Sequence, residues 1–226
     1  MEIKPVAVFH SPFCSKFGIP KQSGIVGNLR GKIVFVPEFR NPDALRGMEE
    51  FEYLWLVWEF SANRHGETSL MVRPPRLGGN KKVGVFASRS PFRPNSLGLS
   101  SVRIDHIEWE TACGPIIHVL GADLMNGTPI YDIKPYVTYA DSHPEARSGF
   151  VDRREWKRLK VEIPSEVKER LMRQDGLTDE SIMQLQEVLA EDPRPQYQKD
   201  PQKVYGMPFE GLDIHFCVDG DCLTVI

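Results

Sequence analysis

Through the first two thirds of the chain, apolar residues do not return at the three- and four-residue spacing of a helix. They come instead in short β-branched and aromatic runs separated by Gly, Pro and Asn, which is a strand pattern. Strands are predicted at Val6 to His10, Lys32 to Val36, Tyr53 to Phe60, Val83 to Ser88, Ser100 to Trp109, Ile116 to Leu120 and Ile130 to Val137. In the fifth, Val102, Ile104 and His106 alternate with Ser101, Arg103 and Asp105, as on a strand with one buried face. Tyr53-Leu54-Trp55-Leu56-Val57-Trp58 is apolar on both faces and suits a strand covered on both sides. About seven strands at this spacing predict a barrel or a sandwich.

The pattern changes near Pro164. Ser165 is placed to cap a helix carrying Val167 and Leu171 one turn apart, with Gly176 at its end. Thr178 is placed to cap a second helix in which Ile182, Leu185, Val188 and Leu189 share a face, up to Pro193. Two strands, Leu212 to Val218 and Cys222 to Ile226, follow around an Asp219-Gly220 turn. The expectation is a mostly β domain over residues 1–150 and a small α+β domain over 151–226.

Composition narrows the function classes. With 41% hydrophobic and 26% charged residues in 226, the chain has the makeup of a globular protein rather than a disordered or fibrous one. No run reaches the length of a membrane span, and the start, Met1-Glu2-Ile3-Lys4-Pro5, has no signal-like apolar stretch, so a cytoplasmic protein without membrane contact is expected. Cys14, Cys113, Cys217 and Cys222 form no C-x-x-C pair, and His10, His65, His106, His118, His143 and His215 lack ligand spacing, so no metal is expected. No P-loop or G-x-G-x-x-G turn follows any strand, which argues against a Rossmann-type nucleotide site.

Charge is unevenly spread. The net charge is −3, yet Thr68 to Ile104 holds seven basic residues (Arg73, Arg76, Lys81, Lys82, Arg89, Arg93 and Arg103) and no acidic one. A one-sign segment in an acidic protein points to a polyanionic partner or an anionic ligand. Pro74-Pro75, Gly78-Gly79-Asn80, Pro91 and Pro94-Asn95 fix the shape of the same loops, and an arginine on a shaped loop loses less entropy when it grips phosphate or carboxylate.

Three blocks resemble the TsaA/TrmO family. They are Arg73-Pro74-Pro75-Arg76-Leu77-Gly78-Gly79-Asn80 with Gly84 through Asn95, Asn126-Gly127-Thr128-Pro129-Ile130-Tyr131-Asp132-Ile133-Lys134-Pro135-Tyr136, and Asp192-Pro193-Arg194-Pro195-Gln196-Tyr197. The resemblance implies a seven-stranded β-barrel methyltransferase of non-Rossmann type with a small C-terminal domain, working as a homodimer. It further implies S-adenosylmethionine as cofactor and methyl transfer to the exocyclic amine of threonylcarbamoyl-adenosine, beside the anticodon in the stem-loop of threonine tRNA. Cofactor contacts are implied at Pro20, Lys21 and Gln22, at Ser61 and Ala62, at Arg89, at Leu99, and at Leu124, Met125, Asn126, Gly127 and Thr128. Ser61 and Ala62 replace the His and amide residue of many relatives, and Lys21 replaces a common Arg, which keeps the charge but not the fork.

For tRNA contact the candidates are Arg73, Arg76, Lys81, Lys82, Arg93, Tyr136, Arg194 and Tyr197, with Arg93 and Lys134 as partners for the threonyl carboxylate. Methyl transfer from a sulfonium is an in-line displacement that depends mainly on positioning. Asp132, with Lys134, is the candidate acceptor of the amine proton, although residues two apart on a strand face one side and suit a simple ion pair equally well. By residues alone Asn126-Gly127 is a hairpin turn, and the aromatic strand around Trp55 and Trp58 reads as core before it reads as a stacking platform. Two other functions fit the basic loops: a non-enzymatic RNA-binding barrel, and an enzyme acting on a small anionic metabolite.

Overall fold

The computed structural model describes residues 2–63, 69–74, 81–153, 157–195 and 200–226. Twelve strands are formed by these residues: β1 (Ala7–His10), β2 (Arg30–Phe35), β3 (Tyr53–Glu59), β4 (Met71–Val72), β5 (Val83–Gly84), β6 (Leu97–Glu108), β7 (Ile116–Leu120), β8 (Thr128–Pro135), β9 (Lys160–Glu162), β10 (Tyr205–Phe209), β11 (Leu212–Asp219) and β12 (Cys222–Val225). Helices α1 (Thr138–Asp141), α2 (Ser165–Arg173) and α3 (Asp179–Ala190) complete the frame. Six strands close into a barrel in the order β1-β2-β7-β6-β3-β8, with the ring sealed where β1 pairs with β8. The expected seventh, Val83 to Ser88, keeps only Val83 and Gly84 as strand. These pair with β4 in a separate hairpin, and Val85–Ala87 turn into a single 3₁₀ turn. The smaller sheet has the order β10-β11-β12-β9, with β9 parallel to β12.

Two sequence expectations change at the level of side-chain direction. In β6 the pairing with β7 shifts register between Ile104 and His106, so the extra residue turns His106 outward instead of leaving it on the face of Val102. There its ring stacks on His118, with centroids 4.1 Å apart. In β3 only one face is sealed: Leu54, Leu56 and Trp58 enter the barrel, while Tyr53 and Trp55 lie outside against Tyr136. At the helix starts, Thr178 accepts a hydrogen bond from the Ser181 amide as expected. Ser165 does not cap; it is the first helical residue, and Pro164 precedes it without a side-chain bond.

Two hydrophobic cores result. One fills the barrel with Phe9, Ile33, Leu54, Leu56, Val102, Ile117, Leu124 and Ile130. The other lies between α2, α3 and the smaller sheet, and it includes Phe13, Val26 and Leu29 from residues 11–29, the connection between β1 and β2. This strap, although early in the sequence, is part of the later core. The Glu210 amide donates to the Pro12 carbonyl at 2.9 Å, and the Phe13 and Phe209 rings meet edge to face at 5.8 Å. Gly18 has φ +93, and a Cβ there would lie 2.4 Å from the Met207 sulfur, so only glycine lets the strap pass so close to β10.

Candidate functional site

The strap leaves the C-terminal core at Ile19 and Pro20 and crosses one end of the barrel. There the end of β3, the start of β6 and the β7–β8 loop converge on a cavity of about 550 Å³, within the usual size range of cofactor sites. The Gly24 amide donates to the Gly121 carbonyl at 2.8 Å, the Asn126 amide to the Phe13 carbonyl at 2.8 Å, and the Gly127 amide to the Phe9 carbonyl at 2.8 Å. These bonds hold strap, barrel and β7–β8 loop in one relative position. Gly98 belongs to the wall because the Trp58 indole lies over it; a Cβ would fall 2.3 Å from that ring.

Nine of the twelve residues implied as cofactor contacts line this cavity: Pro20, Lys21, Gln22, Ser61, Ala62, Arg89, Leu99, Met125 and Thr128. Leu124 is instead a core residue of the barrel, 1% exposed, and Asn126 and Gly127 lie at the exposed turn behind the wall, where the Asn126 side chain accepts from the Ser11 amide at 3.3 Å. The lining mixes apolar surface from Ile19, Trp58, Phe60, Leu97 and Leu99 with charge from Lys16, Lys21, Glu59, Arg89, Arg93 and Asp123. Arg89 donates to the Gln22 side chain across the mouth. Arg93 points one guanidinium nitrogen at the backbone carbonyls of Ser88 (3.0 Å) and Ser90 (3.1 Å), and so shapes its own loop while facing the cavity.

The sequence reading missed Asp123. Its Oδ1 accepts from the Ser100 hydroxyl at 2.5 Å, and Ser100, 1% exposed, in turn accepts from the Trp58 indole N–H at 2.9 Å. Burial pushes the Asp123 carboxyl above the ordinary carboxylate range, opposed by its hydrogen bonds and by the Arg89 charge. The available signal was the pairing of a serine on a barrel strand with an Asp in Gly121-Ala122-Asp123-Leu124, which only the β6–β7 pairing brings together. Beside it Glu59 accepts from the Tyr131 hydroxyl at 2.6 Å, and that bond pushes the tyrosine up to about 12.

Other expected residues lie elsewhere. Asp132 and Lys134 pair with each other at 2.9 Å on the outer face of β8, both well exposed, and neither lines the cavity; the ion-pair alternative is the one realised. Arg194 is bidentate to Asp192, through Nε at 2.8 Å and a terminal nitrogen at 3.0 Å, with a side chain only 10% exposed, so its fork is used within its own loop. Arg73, Lys81 and Lys82 are exposed, and Tyr136 is half-buried against Tyr53 and Trp55. Arg76 and Tyr197 lie outside the described residues. Among the described residues no cluster of three His, Cys, Asp or Glu side chains could hold a metal ion, and no helix is long and apolar enough to cross a membrane.

Comparison with known proteins agrees with this architecture. The family model of the tRNA-methyltransferase O N-terminal domain matches residues 8–142, and that of the TrmO C-terminal domain matches residues 156–226. The chain is 35% identical over 222 residues to the tRNA (adenine(37)-N6)-methyltransferase of Escherichia coli, covering 96% of this chain and 93% of that one. It is 37% identical over 220 residues to a Pseudomonas aeruginosa protein bearing the name of an S-adenosylmethionine-dependent methyltransferase, covering 95% and 91%. A crystal structure of TrmO from Pseudomonas aeruginosa superposes with a TM-score of 0.77 at 31% identity, over 100% of this chain and 97% of that one. With both domains matched in order and relatives aligned end to end, the chain belongs to the tRNA-methyltransferase O family of methyltransferases.

Proposed function

We propose that the protein transfers the methyl group of S-adenosylmethionine to the exocyclic amine of adenosine 37 in tRNA, with threonylcarbamoyl-adenosine in threonine tRNA as its substrate. The observation that carries this reading is the convergence of nine residues, taken from five separate stretches of sequence, on one cavity of cofactor size. The residues present fit the cofactor: apolar and aromatic wall for the adenine, and separate cationic and anionic side chains for its charged end. When bound, the cofactor supplies an activated methyl group on sulfur. This chain's residues supply position: Gly98, Trp58 and Leu99 shape the wall, and Arg89 with Gln22 closes the mouth. Family membership speaks against the non-enzymatic barrel, and exposed Arg73, Lys81 and Lys82 favour a nucleic-acid substrate over a small metabolite.

A homodimer belongs to the same proposal. Leu70, Met71 and Phe86 on and next to the β4–β5 hairpin, Phe92 after it and Leu99 in the cavity lining are exposed, apolar surface suited to a partner. The deciding experiment is mass spectrometry of nucleosides from threonine tRNA incubated with protein and cofactor. A gain of one methyl on threonylcarbamoyl-adenosine is expected. No mass gain, or a gain on another nucleoside, overturns the assignment.

A further inference from the structure

Two opposite charges face the cavity without being paired. Among the described residues, Arg89 is held by the Gln22 side chain and Asp123 by Ser100, and neither forms an ion pair with the other or with a third residue. Side chains free to move would close such a gap. Here each is held: Arg89 across the mouth by Gln22 of the strap, and Asp123 by a relay through Ser100 to Trp58 that starts inside the barrel. A carboxylate offers about four acceptor sites. The Ser100 hydroxyl occupies one of these on Asp123, and because Asp123 lines the cavity, acceptor capacity remains there for a ligand donor.

A fixed cation and a fixed anion in one cavity are complementary to a ligand bearing both charges on neighbouring atoms. Resting on the cofactor reading above, only one part of S-adenosylmethionine meets that requirement. Its adenine is neutral and flat, its ribose offers hydroxyls alone, and its α-amino-acid end carries an ammonium and a carboxylate. We propose that Asp123 binds the ammonium and Arg89 the carboxylate of the cofactor's amino-acid end, so that this wall sets the direction in which the cofactor lies. The sulfonium is then held by neighbouring geometry and not by the Asp123 charge.

The test is calorimetric affinity of Asp123→Asn and Arg89→Met for three ligands: S-adenosylmethionine, S-adenosylhomocysteine, which lacks the sulfonium charge, and 5′-methylthioadenosine, which lacks the amino-acid end. Asparagine preserves shape and a partner for Ser100 while removing the charge. Losing a charge-assisted hydrogen bond should weaken the first two ligands by about 10- to 100-fold, in parallel, and leave methylthioadenosine unchanged. An equal loss for methylthioadenosine would place Asp123 on ribose or adenine and overturn the proposal. So would a loss confined to S-adenosylmethionine, which would place it on the sulfonium, and so would no loss at all. Ser100→Ala, which retains the carboxylate but frees it, should give a smaller loss with the same ligand pattern; a different pattern counts against the relay. Failure of the unmodified protein to bind S-adenosylmethionine would instead overturn the cofactor reading itself, a result these ratios keep separate.

Discussion

At the scale of single residues, the carboxylates divide by environment. Asp123 sits with its folded pKa above the ordinary value, so it takes up a proton at a higher pH than a free aspartate does. The sign for stability follows: the buried charge costs stability above the folded pKa, and that cost disappears as pH falls through the folded pKa towards the ordinary one. Cofactor affinity should move the opposite way, weakening over the same window as the charge is lost. Calorimetry over a series of falling pH should show this decline in the unmodified protein and a flatter profile in Asp123→Asn. Asp132 behaves as a surface group: Asp132→Asn or Lys134→Ala should change stability by no more than about 1 kcal/mol and leave cofactor affinity alone, by thermal melts and calorimetry. The contrast shows what the sequence could convey. The family resemblance brought Gln22, Arg89 and Thr128 into view, but the sequence singled out Asp132 and passed over Asp123, because which way a strand residue points depends on a barrel that closes only in three dimensions.

At the scale of elements, the periodicity placed most strands within a few residues and failed where an irregularity intervenes. The register shift in β6 cannot be read from an alternation that runs on unbroken through His106, and the two-residue β5 ends because Val85–Ala87 turn rather than extend. The capping residue Thr178 was legible because its chemistry is local, and Thr178→Ala should cost about 1 kcal/mol in denaturant unfolding. The strap was not legible at all: its alternation of Phe, Gly, Ile and Val carries no mark of a partner almost two hundred residues away. Its presence decides what a truncation at residue 150 would do. Removing 151–226 would expose Phe13, Val26 and Leu29, a loss on the order of 5–9 kcal/mol, comparable with the whole stability of a domain. We expect that fragment to lose cofactor binding as well as tRNA activity, and retained calorimetric affinity would show that the strap is held by the barrel alone. In the full chain, Gly18→Ala should lower both melting temperature and cofactor affinity, since the strap must shift away from Met207.

For the molecule as a whole, charge separates the two substrates. Exposed Lys81 and Lys82 lie outside the cavity lining, so the double alanine variant should keep its cofactor affinity and weaken tRNA binding. On single-stranded RNA the slope of log affinity against log salt should fall by about 0.7 for each phosphate that is no longer neutralised. Overall composition, at −3, pointed away from nucleic acid; only the local run of basic residues pointed towards it. The strap also sets a timetable for biosynthesis. Phe13, Val26 and Leu29 leave the ribosome almost two hundred residues before Met207, Phe209 and Phe216, which share their core. At about 5–20 residues per second the interval is roughly 10–40 s, during which these side chains have no core to enter. The wall of the cavity that carries Pro20 to Gln22 is therefore completed only once residues 207–216 have been made, and a chain that stops short of them has no finished cavity with which to compete for methyl donor.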